Sequence, residues 1–221
     1  MKKGIYFFTI ISLMIFSSFA QNPDQILKNA QNALDKVIGN SDNQIPKWLL
    51  DRAEGILVVP DYNTKSVQNT GVFTMRSNYK WGLPVIAKVQ TPGVSMKKGD
   101  NLLIVLFMPG VGSINITQGN VTVPGNIILA GPKGNQRESS FNQPLNDREY
   151  AYAGKTGNMR GVTLSEIQGS DDSTAMTQLY GSGVNTGKVL TGQVSSAPKS
   201  ANDYRGTLQN LSPNQNTSTK H

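Results

Sequence analysis

The side chains that enzymes use most for nucleophilic and metal chemistry are scarce in this chain. Its only histidine is the last residue, His221, and it has no cysteine. A Ser-His-Asp or Cys-His nucleophile therefore cannot be assembled. The usual set of thiolate and imidazole metal ligands is missing as well. We expect no enzyme activity, no cofactor and no metal site.

A pair of carboxylates is the catalytic alternative that remains open, because a glycosidase needs only two. The candidates are Asp51, Glu54, Asp61, Asp100, Glu149 and Glu166. None of them lies in a recognisable motif. A carboxylate-based hydrolase would need two of these groups to face each other across a cleft.

Two tryptophans, each beside a lysine, indicate chemistry at a membrane surface. They are Lys47-Trp48 and Lys80-Trp81. Tryptophan favours the membrane–water interface, and a neighbouring lysine can pair with lipid phosphate. Arg52 follows Trp48 by four residues, which on a helix is close enough for a cation–π contact. The alternative is that both indoles belong to the core.

The first of these pairs lies in a predicted helix–strand unit at residues 45–60. Apolar residues at helical spacing occupy one side, and charged residues the other. The apolar set is Ile45, Trp48, Leu49, Ala53 and Ile56, and the charged set is Lys47, Asp51 and Glu54. Gly55 is predicted to end the helix, and residues 56–59 read as a buried strand that stops at Pro60.

The rest of the chain predicts one more helix at the start, then strands, then a returning helix. Asn22 and Pro23 begin a helix over 23–38, which Gly39 closes. Alternating and apolar runs predict strands at 70–76, 85–89, 101–108, 113–117, 121–123, 126–129, 149–155 and 161–167. The almost wholly apolar run 101–108 should be a central strand buried on both faces. Residues 171–180 predict a helix.

The order of these motifs resembles the SYLF (Ysc84-type) lipid-binding domain over roughly residues 40–183. The matching segments are the 45–60 unit, Lys80-Trp81-Gly-Leu-Pro84, the 101–108 run, Ala130-Gly-Pro-Lys-Gly134, the 149–164 segment that ends in Arg160-Gly-Val-Thr-Leu164, and Leu179-Tyr180-Gly181. The resemblance implies a non-catalytic membrane-lipid binding module and a structural role for Trp81. SYLF domains usually have a glycine-dense run before that tryptophan, whereas residues 65–80 keep only Gly71.

These observations together predict an α+β fold, with N-terminal helices packed on a twisted, largely antiparallel sheet that could approach a barrel. The predicted function is binding of anionic phospholipid at a membrane surface. The residues expected to bind lipid are Lys47, Trp48, Arg52, Arg76, Lys80 and Trp81. The alternative is a cell-envelope protein that binds a protein or polymer partner, with the helix at 23–38 as the docking element. The sequence does not predict an oligomeric state.

The two ends of the chain differ in composition from its middle. Lys2 and Lys3, the apolar run 5–16 and Ser18-Phe19-Ala20 are typical of a secretory signal peptide at residues 1–20. An N-terminal helical segment (21–39) and the SYLF-like domain (40–183) follow, and the polar segment 184–221 is predicted to be a disordered tail. The formal charge of +7 favours anionic partners. Outside the cytoplasm we expect these to be lipid head groups or anionic polymers, and no nucleic acid.

We predict that the protein is exported, to the periplasm or the medium, and is peripheral to the membrane. Cleavage after Ala20 would leave Gln21 as the new N-terminus, because a small-x-small site follows the apolar run. Intact mass spectrometry of the exported protein should give the mass of residues 21–221. A mass that retains residues 1–20 would contradict the prediction.

Overall fold

A ten-stranded sheet with helices packed beside it is built by residues 21–110, 120–123 and 128–213, which are the residues that the computed structural model describes. The predicted α+β class is confirmed. The predicted signal peptide and the predicted strand at 113–117 lie outside the described residues.

The elements follow one another along the chain with short connections. The helices are α1 (Pro23–Val37), α2 (Lys47–Arg52), α3 (Ser173–Tyr180), α4 (Thr186–Leu190) and α5 (Lys199–Leu211), with a 3-10 helix at Glu138–Ser140. The strands are β1 (Ile38–Gly39), β2 (Ile45–Pro46), β3 (Gly55–Val59), β4 (Asn69–Ser77), β5 (Lys80–Trp81), β6 (Val85–Gln90), β7 (Leu102–Phe107), β8 (Asn120–Val123), β9 (Leu129–Ala130), β10 (Glu149–Lys155), β11 (Asn158–Val162) and β12 (Ile167–Asp171).

The large sheet runs in the order β11-β10-β7-β3-β4-β6-β12-β8, and each neighbouring pair is antiparallel. Strand β5 pairs antiparallel with the last two residues of β4, and β9 pairs parallel with β10. The sheet is not closed into a barrel, because β11 and β8 form its two edges in the part of the chain that the structure describes. The short strands β1 and β2 pair separately.

The register gives the sheet two distinct ends. At one end Gly55 lies opposite both Met75 and Phe107. At the other end Val59 lies opposite Leu103, and Leu102 opposite Gly154. Strand β5 lies at the first end, and the turn of the β10–β11 hairpin lies at the second. We call them the Trp81 end and the Lys155 end.

The centre of the sheet is covered on both faces. Every residue of β3 and of β7 is buried, which confirms the prediction of a central strand at 101–108. The helix predicted from residue 45 to its end at Gly55 is shorter than expected. Ile45 lies in β2, and α2 ends at Arg52, because Ala53 is already extended and the N–H of Glu54 donates to the carbonyl of Phe107 at 2.8 Å. Gly55 is therefore the first residue of β3.

The helix predicted at 23–38 is confirmed as α1. The Asn22 side chain caps it by accepting a hydrogen bond from the N–H of Asp24 at 3.0 Å, and Pro23 occupies the first turn. The apolar stripe of α1 is buried, and α1 packs mainly against α5. The helix predicted at 171–180 is likewise confirmed as α3.

One predicted strand, 161–167, is wrong, because the structure divides this segment between β11 and β12. Leu164 lies between the two and pairs with Ile128 through two hydrogen bonds of 2.9 and 3.0 Å. The segment therefore bends instead of continuing as one strand. The apolar alternation of the segment does not reveal this bend, because its cause is a partner far away in sequence.

The prediction of a disordered tail from residue 184 is also wrong for its described part, because residues 186–190 and 199–211 are helical. The physical reason is a narrow apolar stripe on α5: Ala201, Tyr204 and Leu208 are fully buried. The average composition of the tail is polar, but this stripe at helical spacing suffices to pack α5 against α1. Residues 214–221 lie outside the described residues.

This packing predicts that α5 contributes to global stability. Leu208→Ala should lower the free energy of unfolding by about 2–5 kcal/mol, because the truncation leaves a cavity between helices. The exposed Asn210 on the same helix is the matched control, and Asn210→Ala should change stability by less than about 0.5 kcal/mol. Denaturant unfolding measures both. Equal, small effects would mean that α5 does not dock in solution.

Candidate functional site

A tight hairpin between β4 and β5 projects from the Trp81 end of the sheet. Ser77 pairs with Lys80, which leaves Asn78 and Tyr79 as a two-residue turn. Both have positive φ, 50° and 64°, as in the type I′ turns of β-hairpins. Asparagine tolerates this conformation, but it is uncommon for a residue as large as tyrosine. The Tyr79 side chain is 65% exposed.

A half-buried arginine, Arg76, holds this hairpin in place. The guanidinium carbon of Arg76 lies 4.1 Å from the ring centroid of Trp81. Arg76 also donates to the carbonyls of Ala53 at 2.9 Å and Tyr79 at 3.1 Å, and to the carbonyl and hydroxyl of Ser212. Burial lowers the pKa of Arg76 to about 10, an effect that the charge of Asp51 opposes. Arg76 is therefore still protonated at neutral pH.

A cavity of about 610 Å³ lies between the hairpin and α5. We call it the hairpin cavity. Asn78, Lys80 and Trp81 line it from the hairpin. From α5 it is lined by Asn202, Arg205, Gly206 and Gln209, whose spacing places them on one face of the helix. The lining contains two cations and no acidic side chain.

Arg205 is the cation that α5 supplies to the hairpin cavity. It is half-buried, and its Nη2 donates to Oδ1 of Asn202 at 2.8 Å, which orients the guanidinium. Gly206 beside it leaves open space: a Cβ atom built there would meet no other atom within 4 Å. Lys80 on the opposite wall is exposed. The cavity is therefore positive, open and bounded on one side by the hairpin.

The six residues predicted to bind lipid fall into two groups. Lys47, Trp48 and Arg52 lie on α2, whereas Arg76, Lys80 and Trp81 lie at the hairpin. Arg76 joins the groups, because its bond to Ala53 attaches the hairpin to the residue that follows α2.

Internal contacts occupy the two larger side chains of α2. Trp48 is half-buried: its Nε1 donates to the carbonyl of Gln136 at 2.7 Å, and its ring centroid lies 5.6 Å from that of Phe141. Arg52 forms an ion pair with Glu138 at 2.9 Å. The predicted cation–π contact between Arg52 and Trp48 is not found among the described residues, where Arg76 and Trp81 form one instead. Lys47 is exposed.

Trp81 is a core residue, as the resemblance implied, with only 2% of its surface exposed. Its Nε1 has no hydrogen-bond partner among the described residues. Of the six predicted residues, Lys47 and Lys80 thus present exposed cations without an ion pair in the described structure, and the others mainly build the frame around them.

The carboxylate alternative finds little support in this arrangement. Glu149 is almost fully buried, and burial raises its pKa, opposed by its own backbone N–H and by Arg148. The hairpin cavity holds no carboxylate that could form an acid pair. Within the described ranges, no three His, Cys, Asp or Glu side chains come close enough to hold a metal ion. The absence of enzyme activity stays a prediction.

The described helices include none with the length and apolar character needed to cross a membrane. Comparison of this chain with models of known protein families, with curated proteins and with solved structures finds no match. The resemblance to the SYLF family, like the export of the protein, therefore stays a prediction.

Sequence reasoning missed Tyr79, Asn202 and Arg205 as site residues. Asn202 and Arg205 were not predicted as site residues because the tail that contains them was predicted to be disordered. The signal that could have found them is the apolar spacing of Ala201, Tyr204 and Leu208, which implies a helix with Asn202 and Arg205 beside its buried stripe. For Tyr79, the two-residue turn itself could not be read from the sequence, because Asn-Tyr is not a usual type I′ pair.

The geometry predicts different roles for the two cations of the hairpin. Arg76→Lys should lower the free energy of unfolding by about 1.5–3 kcal/mol, because an ammonium cannot reproduce the hydrogen bonds of this half-buried guanidinium to several carbonyls. Lys80→Gln, on the exposed wall, should change stability by less than about 0.5 kcal/mol. Thermal unfolding measured by circular dichroism checks both. If Arg76→Lys left the thermal stability unchanged, the structural role of Arg76 would be refuted.

Proposed function

We propose that this protein binds anionic phospholipid at a membrane surface and that the hairpin cavity is the contact site. The observation that carries the proposal is the lining of this cavity, which presents Lys80 and Arg205 without any acidic side chain. Each cation near a charged surface contributes about 1 kcal/mol to binding. Arg205 offers planar N–H groups that suit a phosphate, and Lys80 adds a second charge from the opposite wall.

The exposed Tyr79 supports the same proposal. It lies between the cavity-lining residues Asn78 and Lys80, at the tip of the hairpin. Tyrosine is enriched at the membrane–water interface, where its ring enters the head-group region. The left-handed backbone of a non-glycine residue costs about 1–3 kcal/mol, and such strain is often kept at functional sites. Arg76 holds the carbonyl of Tyr79 and so stabilises this conformation.

The competing proposal is a cell-envelope protein with a protein or polymer partner. Its expected docking element was the helix at 23–38. The apolar side chains of α1 are buried within the fold, so they do not offer a docking face. A protein or polymer partner would therefore have to bind to a surface other than α1. Salt separates the two proposals, because binding to charged head groups weakens as ionic strength rises and an apolar interface does not weaken in this way.

A matched pair of substitutions at Gly206 tests the proposal. The open space at Gly206 accommodates a longer side chain, and helices tolerate almost any residue better than glycine. Gly206→Glu introduces a negative charge into the cavity, whereas Gly206→Gln has nearly the same shape without that charge. Co-sedimentation with phosphatidylglycerol vesicles should show binding about fivefold weaker for Gly206→Glu than for Gly206→Gln, because the two variants differ by one charge.

Vesicles of phosphatidylcholine are the neutral control, and neither variant nor the unmodified protein should bind to them.

A second comparison removes positive charge from the cavity instead of adding negative charge. Lys80→Gln combined with Arg205→Gln should weaken binding about tenfold or more, while the equal charge change Lys28→Gln with Lys36→Gln, on exposed positions of α1, should not. Equal binding by the two Gly206 variants would exclude the hairpin cavity. Binding to neutral vesicles would exclude the electrostatic mechanism.

A further inference from the structure

A second group of cations lies at the Lys155 end of the sheet, on two adjacent turns. The first turn is held by two hydrogen bonds: the N–H of Lys97 donates to Oδ2 of Asp100 at 2.7 Å, and the N–H of Asp100 donates to the carbonyl of Lys97 at 3.0 Å. The second turn is the β10–β11 hairpin, where Lys155 pairs with Asn158. Gly99 and Gly157 supply the positive φ values that the two turns require.

Arg160 fixes the first turn to the sheet. Its Nη1 lies 2.7 Å from Oδ2 of Asp100 and 3.1 Å from the carbonyl of Ala153, and its Nη2 donates to the carbonyl of Ser95 at 3.0 Å. The Asp100 side chain is only 11% exposed. Arg160 therefore neutralises the one carboxylate that lines the cavity between these turns.

Three lysines surround this pair without acidic partners. Lys97, Lys98 and Lys155 are exposed, and none forms an ion pair in the described structure. All fourteen aspartate and glutamate residues of the chain lie in the described ranges, and none of them forms an ion pair with these three lysines. The three lysines line a cavity of about 270 Å³ together with Asn158 and the Asp100–Arg160 pair. We call it the lysine cavity.

We propose that the lysine cavity is a second binding site, for a ligand that carries a phosphate dianion, such as a phosphomonoester or a diphosphate. Three ammonium groups around a neutral ion pair leave an excess of positive charge that a multiply charged anion can balance. Lysine ammonium groups bind phosphate as mobile point charges, and Asn158 adds a polar side chain at the rim. The small volume favours a phosphate-sized group over a large apolar ligand.

The lysine cavity is separate from the hairpin cavity. The two lie beyond opposite ends of the sheet, and the five residues of β3 alone span roughly 16 Å. Both sites can therefore be occupied at once. The proposal does not rest on lipid binding at the hairpin cavity, and its test must give a separate result.

Titration calorimetry with inorganic pyrophosphate at low ionic strength tests the site. The unmodified protein should bind pyrophosphate, and Lys97→Gln combined with Lys155→Gln should weaken binding at least about tenfold. The control pair Lys28→Gln with Lys36→Gln removes the same charge from exposed positions of α1 and should leave the affinity within about threefold. The lysines are exposed, so all variants should fold, which thermal unfolding checks. No binding by the unmodified protein, or equal losses in the two pairs, would overturn the proposal.

Vesicles then identify the source of the phosphate. If the ligand is a lipid head group, Lys97→Gln with Lys155→Gln should weaken binding to phosphatidic acid vesicles, and pyrophosphate should compete with them. If the ligand is soluble, Lys97→Gln with Lys155→Gln should weaken the binding of pyrophosphate and leave vesicle binding unchanged. Either result supports the lysine cavity, because both require pyrophosphate to bind there. An effect on vesicles without pyrophosphate binding would overturn it. The Gly206 pair reports on the hairpin cavity independently, through phosphatidylglycerol.

Discussion

The half-buried guanidinium of Arg76 makes the contacts on which the candidate site depends. It lies over the ring of Trp81 and donates to carbonyls of Ala53, Tyr79 and Ser212. Those partners belong to the connection between α2 and β3, to the β4–β5 turn and to the end of α5. Several acceptors are needed, because burying a cation is costly unless its donors are satisfied. The three segments can meet only in a geometry that gives Arg76 its partners, and that geometry creates the hairpin cavity.

Much of the sheet could be predicted from the sequence, because its pattern is local. The strand 101–108 is recognisable from an unbroken apolar run, and α1 from its cap and its apolar stripe. The failures occurred where distant residues decide the outcome. Leu164 bends the chain because Ile128 pairs with it, and α5 is ordered because α1 offers it an apolar face. A mean composition, which described the tail as polar, cannot reveal a stripe of three or four buried residues.

The site residues show the same limit. Residue type singled out the tryptophans and their neighbouring cations as candidates, but it could not assign their exposure. Trp48 and Arg52 are held by Gln136 and Glu138, more than eighty positions away, and Arg76 by Ser212, 136 positions away. Such contacts convert candidate ligand-binding side chains into structural ones. Lys80 is exposed because it follows directly on the β4–β5 turn at the end of the sheet. The position of Arg205 could not be predicted, because the sequence analysis did not predict α5.

The assembly of the hairpin cavity from distant segments has a consequence for its behaviour. One wall comes from residues 77–82 and the other from α5, whose docking depends on its own buried stripe. A ligand that contacts both walls binds only the docked state, so by linkage it stabilises α5 against the rest of the domain. The lysine cavity differs, because its turns are anchored directly to β7, β10 and β11 at the centre and edge of the sheet. Loss of α5 should therefore remove the first site and leave the frame of the second in place.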